Sequence, residues 1–183
     1  MKSVLISIQP KWVEKIVKGE KTIEVRKTAP QEVPFKCYIY ETKGQYVKFT
    51  HGAHTKYGYG RGKVIGEFVC DKVYSIKNQG GRFVVANEEQ SVTNEIARQS
   101  CLDYDDMVSY FGNKDGFGWH ISDLKIYDKP KELSEFSRPC SYRGLCFSCK
   151  RTSFKKDGNL LCNTKITRPP QSWMYVEDVG EEE

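Results

Sequence analysis

The stretch Gly19-Glu20-Lys21-Thr22-Ile23-Glu24-Val25-Arg26-Lys27 alternates apolar and polar residues in the manner of a β-strand, yet it carries three bases and two acids in nine positions. Ile23 and Val25 fall on one face; Thr22, Glu24 and Arg26 fall on the other, with Lys21 at the strand's entrance. Residues i and i+2 on a strand lie about 7 Å apart, within reach of long side chains. Glu24 can therefore hold Arg26 or Lys21 in a fixed pose. A fixed cation suits a phosphate or a base edge, and a carboxylate accepts from a base amino group. The same spacing also fits a surface ion-pair ladder, worth under about 1 kcal/mol.

Outward from this stretch, the chain reads as alternating strands and helices. VLISI (4–8) is apolar and β-prone. Pro10 opens a helix whose Val13, Ile16 and Val17 recur at helical spacing, and Gly19 stops it. FKCYIYET (35–42) is a further strand. KVIGEFVCDKVYSI (63–76) reads as one long strand in which Gly66 marks a bulge or a close approach. Residues 92–110 read as a helix anchored by Ile96, Leu102, Met107 and Val108. GFGWHISDLKIYDKP (116–130) and SWMYVEDV (172–179) read as strands, with His120 a hydrogen-bonded structural residue and Trp173 a core plug. Residues 50–62 hold four glycines and read as a loop. No glycine-rich phosphate loop follows the first strand, which sets aside dinucleotide-binding and P-loop folds.

Composition sets the bounds. A chain of 183 residues with 38% hydrophobic and 13% aromatic content can build one domain, spanning 1–183. No apolar run reaches 18 residues and no secretory leader is evident, so a soluble cytoplasmic protein with no membrane partner is expected. The net charge of +5 is unevenly spread. Lys43–Lys63 carries five bases and no acid, whereas Glu88–Asp106 carries six acids and one Arg. Such segregation predicts a basic face, for which phosphates are common partners. Within 51–63, His51, His54, Lys56 and Arg61 interleave with Tyr57 and Tyr59, as a nucleic-acid contact loop requires; a solvated loop has the same composition, and a metal held by the two histidines is a lesser alternative.

The segments PKWVEKIVKGEKTIEVRK, GKVIGEF, GFGWHISDLKIYDKP and RPPQSWMYVE together resemble the ASCH domain, a family of the PUA-like superfamily, and especially its small bacterial and phage members. The likeness covers most of 2–130 and the final strand. It implies an α+β fold: a small mixed β-barrel of five or six strands with flanking helices. It implies RNA or nucleotide binding in a basic cleft beside Gly19-x-Lys21-Thr22. Lys21, Thr22, Glu24, Arg26, His51, His54, Lys56, Tyr57, Tyr59 and Arg61 are the expected contacts. An enzymatic branch of the superfamily hydrolyses N4-acylated cytidines with a lysine, a threonine and a helix glutamate. Lys21 matches the lysine, but Glu24 occupies the threonine position, Thr22 is the nearest hydroxyl, and Glu95 is the nearest helix acid. Hydrolysis of acylated cytidine, or of RNA, with Lys21 and Glu24 as catalytic residues, is the alternative function.

Seven cysteines in an intracellular chain should be mostly thiols. Cys37, Cys70 and Cys101 fall in strand or helix patterns as small core residues. Cys140, Cys146, Cys149 and Cys162 follow C-x5-C-x2-C-x12-C in a basic, loop-rich insert, 138–168. Four thiolates satisfy tetrahedral zinc, so a structural zinc is expected, with free thiols or disulfides as the alternatives.

Overall fold

The computed structural model describes residues 1–51, 54–140, 152–154, 160–162 and 164–179; for 49–51, 54, 152–154 and 160–162 only the backbone is described. The order of elements is β1 (Lys2–Ile8), α1 (Pro10–Val17), β2 (Ile23–Arg26), β3 (Phe35–Glu41), β4 (Gln45–His51), β5 (His54–Tyr59), β6 (Val64–Cys70), β7 (Val73–Gln79), β8 (Arg82–Val85), α2 (Gln90–Ser100), α3 (Tyr104–Phe111), β9 (Gly116–His120), β10 (Ser122–Lys131), a 3-10 turn (Leu133–Glu135), β11 (Thr152–Phe154), β12 (Leu160–Cys162) and β13 (Trp173–Val176).

These strands do not close into the expected barrel. A five-stranded sheet runs β10-β6-β3-β1-β13, with β1 parallel to β3, and a separate four-stranded sheet runs β2-β9-β7-β8. Closure would need a hydrogen-bonded ladder joining the two sheets. Among the described residues none does; β10 and β13 remain edges of the first sheet, β2 and β8 of the second. The chain instead crosses between sheets at two corners. One is Asp71–Lys72, which divides the single strand expected over 63–76 into β6 and β7. The other lies at Ile121, with Asp123 at φ +47, and divides the strand expected over 116–130 into β9 and β10. The two corners meet: His120 N–H donates to Lys72 O, and Ile121 N–H to Thr22 O.

Two other expectations also give way. Residues 50–62 are not a plain loop, because Gln45–His51 and His54–Tyr59 pair as an antiparallel hairpin. Its glycine at 58 faces Tyr46, whose ring lies where a Cβ would sit, at 2.4 Å. The helix expected over 92–110 is two helices. Cys101 turns left-handed at φ +55 and ends α2, and Asp103 Oδ1 then accepts from Asp106 N–H at 2.7 Å to start α3.

The core lies on both faces of the first sheet. Val4, Ile6 and Ile8 of β1 pack with Phe35, Cys37 and Ile39 of β3, Phe68 of β6, Val13 and Ile16 of α1, and Trp119. Leu5, Tyr38 and Val64 meet Phe136 and Ile166 on the reverse face. Ile23 and Val25 of β2 pack with Ile96, Met107 and Phe111, which seats α2 and α3 on the second sheet. Trp173 is half-buried and meets Trp119 edge-on at 5.7 Å. Cys37 and Cys70 are fully buried, and burial pushes the Cys70 thiol up to about 12. Cys101 is not a core residue; it is half-exposed at the α2 terminus with Sγ 3.3 Å from Glu20 O. Of the predicted zinc ligands, Cys146 and Cys149 lie outside the described residues, only the backbone of Cys162 is described, and Cys140 is exposed. No group of metal ligands, and no helix long and apolar enough to cross a membrane, occurs among the described residues.

Candidate functional site

Local sequence brings the charged row of β2 inward. Gly19, at φ +73, ends α1, and the chain wraps the helix end: Glu20 and Lys21 N–H both donate to Lys15 O, at 2.9 and 3.1 Å. Thr22 N–H then donates to Gln99 O at 3.0 Å, tying the entrance of β2 to the end of α2. Both faces of β2 are consequently buried. Beside Ile23 and Val25 on the core side, Glu24 is 5% exposed and Arg26 7%, with Lys21 at 2%. A surface ladder is therefore not what this row forms.

The three side chains make one cluster. Glu24 Oε1 lies 2.9 Å from Arg26 Nη2, and Oε2 lies 3.5 Å from Lys21 Nζ. Arg26 Nη2 also donates to Ser7 O at 2.7 Å. Lys21 Nζ donates to Ser100 O at 2.5 Å, so the ammonium caps the negative end of α2. Burial pulls the Lys21 pKa below its ordinary value, against the nearby Glu24 carboxylate. Two polar atoms of the cluster, Glu24 Oε2 and Arg26 Nε, are buried without a hydrogen-bond partner among the described residues. At 3.5 Å the Lys21–Glu24 contact is an ion pair too long to count as a good hydrogen bond.

Lys21, Glu24 and Arg26 form part of the wall of a cavity of about 510 Å³. Trp12 of α1 and Tyr110 of α3 bring aromatic surface to it. Ser7, Gln9, Thr42, Ser109 and Ser172 add hydroxyl and amide groups, and Asp106 adds a second carboxylate. Lys11 Nζ stands 4.3 Å from the Trp12 ring centre, and Lys21 Nζ 5.2 Å. Burial raises the Tyr110 pKa, with Arg26 opposing it. The volume falls in the range of small-molecule sites, and the mixture of aromatic walls with a few convergent charges is what such sites need.

Sequence reasoning finds the charged row because its members are neighbours in the chain. It misses Trp12, Ser100 and Tyr110, which arrive by packing of three helices. The remaining expected contacts stand apart. Thr22 is half-buried and does not line the cavity; nor do Lys56, Tyr57, Tyr59 and Arg61. Tyr57 and Tyr59 are exposed on the hairpin, and Arg61 binds Glu41, its backbone N–H donating to Oε2 at 2.8 Å. The side chains of His51 and His54 lie outside the described residues. Glu95 is exposed and held by Arg98 and Gln99, away from the cavity. His120 Nδ1 lies 2.6 Å from Asp71 Oδ1, which lowers the Asp71 pKa and pins the corner between β6 and β7.

A family model described as ASCH domain matches residues 6–132, well over half of the chain. The chain belongs to the ASCH domain family. The match includes the end of β1, the whole Lys21–Arg26 row, α2, and the two helices that line the cavity, α1 and α3. Among solved structures, the crystal structure of ASCH from Zymomonas mobilis has a TM-score of 0.56 to this ASCH chain at 18% identity, covering 96% of this chain and 88% of that one. A serine-to-alanine mutant of the Zymomonas mobilis protein gives the same TM-score and identity over 96% and 89%. At that identity the likeness is one of fold alone. No curated protein matches the chain.

Proposed function

We propose that the cavity binds the base of a nucleotide, free or within RNA, with Glu24 as the acceptor that reads it. One observation carries this: a carboxylate 5% exposed, clamped between Lys21 and Arg26 in a cavity wall, retains an oxygen with no hydrogen-bond partner among the described residues. A carboxylate is the side-chain group that accepts from the exocyclic amino group of cytosine. Arg26 and Lys21 supply positive charge for a base carbonyl or a phosphate, and Trp12 and Tyr110 offer surfaces for a planar ring. Stability alone gives weak grounds for such a cluster, since buried ion pairs are often no better than apolar side chains of the same volume. Membership in the ASCH family supports an RNA-associated role, and the bacterial or phage type within the PUA-like superfamily is kept as part of this reading.

Calorimetric titration with cytidine monophosphate tests the reading. Glu24→Gln keeps the shape and one acceptor but loses the charge. The expected loss is about 1–3 kcal/mol, roughly five- to hundredfold in affinity. Equal affinity in a folded Glu24→Gln protein contradicts it.

A second reading has one observation in its favour. Burial lowers the Lys21 pKa, as suits an amine that accepts a proton or attacks a carbonyl. Hydrolysis of an N4-acylated cytidine would place Lys21 beside the acyl group. Thr22 and Glu95, however, lie off the cavity, so a nucleophilic hydroxyl must come from a residue such as Ser7 or Ser109. Release of acetate from N4-acetylcytidine, lost in Lys21→Ala, favours this reading; binding without turnover favours the first.

A further inference from the structure

Two grooves continue from the cavity, and both pass Lys11. The first runs between α1 and the α2–α3 corner, where four acids, Glu14, Glu20, Asp103 and Asp106, are balanced by four lysines, Lys11, Lys15, Lys18 and Lys48. The second runs between the start of α1 and the base of the β4–β5 hairpin, lined by Gln9, Pro10, Lys11 and residues 42–47. No carboxylate lines this second groove. A phosphate backbone leaving the cavity meets no net charge along the first route and two lysines, Lys11 and Lys43, with no carboxylate along the second, which favours the second.

The second groove ends on an aromatic face. Gln45 and Val47 pair across the hairpin with Tyr59 and Tyr57, so these four side chains share one side of the ribbon. Val47 is 58% exposed, Tyr57 52% and Tyr59 72%. Two aromatics at i and i+2 on a strand stand about 7 Å apart, which suits successive bases of one strand. Lys43 lies at the junction. Its aliphatic chain crosses Gly62, where a Cβ would come within 2.6 Å of it, and it makes no ion pair among the described residues. The tyrosines do not line the cavity, so they are placed to serve neighbouring nucleotides.

We infer that the occupant is a single-stranded RNA, with one base in the cavity, its backbone passing Lys11 and Lys43, and the next bases on Tyr57 and Tyr59. The inference rests on the nucleotide reading of the cavity and narrows its ligand from a free nucleotide to a short single strand. A duplex does not fit, because its bases are stacked and paired away from both surfaces.

The test compares affinity for a cytidylate hexamer with affinity for cytidine monophosphate, in the wild type, in Tyr57→Ser/Tyr59→Ser and in Lys43→Glu. The hexamer should bind at least about tenfold tighter than the monophosphate in the wild type, and that ratio should fall toward one in both variants. All three positions are solvent-facing, so folding is not at stake. A ratio near one in the wild type, or a ratio that both variants leave intact, overturns the track; if the monophosphate still binds and responds to Glu24→Gln, the cavity reading survives it. Wild type that binds neither ligand fails both. Hexamer binding that is lost in the tyrosine variant but indifferent to Glu24→Gln overturns the cavity reading, and with it the path leading from the cavity.

Discussion

Glu24 is the residue on which the site turns, because removing it strands two cations. Lys21 and Arg26 are each less than a tenth exposed, and each pairs with its carboxylate. Glu24→Ala should therefore cost about 3–5 kcal/mol in urea denaturation, with Glu24→Gln costing clearly less because an acceptor remains. Equal, small losses in both would mean the cluster is solvated after all. Lys21 adds a pH dependence. Burial lowers its pKa below the ordinary 10.5. Between the lowered value and 10.5 the unfolded chain binds a proton that the folded chain does not, so stability contributed by this group rises with pH across that window. Set against Lys21→Met, the wild type should gain stability as pH rises through the alkaline range; a constant difference contradicts the buried placement. The charged row itself was legible, since alternation fixes which side chains share a face. That this face is also buried was not, because the groups it meets, Ser7 of β1, Trp12 of α1 and Ser100 at the end of α2, come from elsewhere in the chain.

At the scale of elements, the strands and helices were legible as segments but not as pieces of two sheets. Hydrophobic periodicity runs straight through Asp71–Lys72 and through Ile121, since a strand that changes sheets keeps its alternation while its partners change. The α2–α3 break did have a signal: Asp103, three residues before Asp106, is a helix N-cap pattern, and its carboxylate does accept from Asp106 N–H. The hairpin was hidden by its glycines, one of which, Gly58, is covered by Tyr46 across the ladder. Gly66, read as a bulge or a close approach, is both: the β3–β6 register shifts beside it, and a Cβ there would come within 2.4 Å of Lys125 O. Gly66→Ala should therefore destabilise the protein by about 1–3 kcal/mol, lowering the melting temperature by several degrees. An unchanged melting curve would mean that β6 and β10 are not held at this spacing.

For the molecule as a whole, the uneven charge seen in the sequence becomes a choice of route around the cavity, with acids and lysines balanced along one groove and lysines without acids along the other. Affinity for single-stranded RNA should accordingly fall as salt rises, with a log–log slope of about −1 to −2 for the phosphates near Lys11 and Lys43; a flat response contradicts backbone contacts. The cysteine-rich insert, 138–168, supports a separate expectation from its thiol spacing: about one zinc per chain in metal analysis of purified protein, with less than about half an equivalent counting against it. The central claim is that a nucleotide base sits against the Lys21–Glu24–Arg26 cluster. Amide NMR spectra recorded while cytidine monophosphate is added test it most directly. Resonances of Ser7, Trp12, Glu24, Arg26 and Tyr110 should move together and saturate, whereas shifts confined to other surfaces, or none at all, would contradict it.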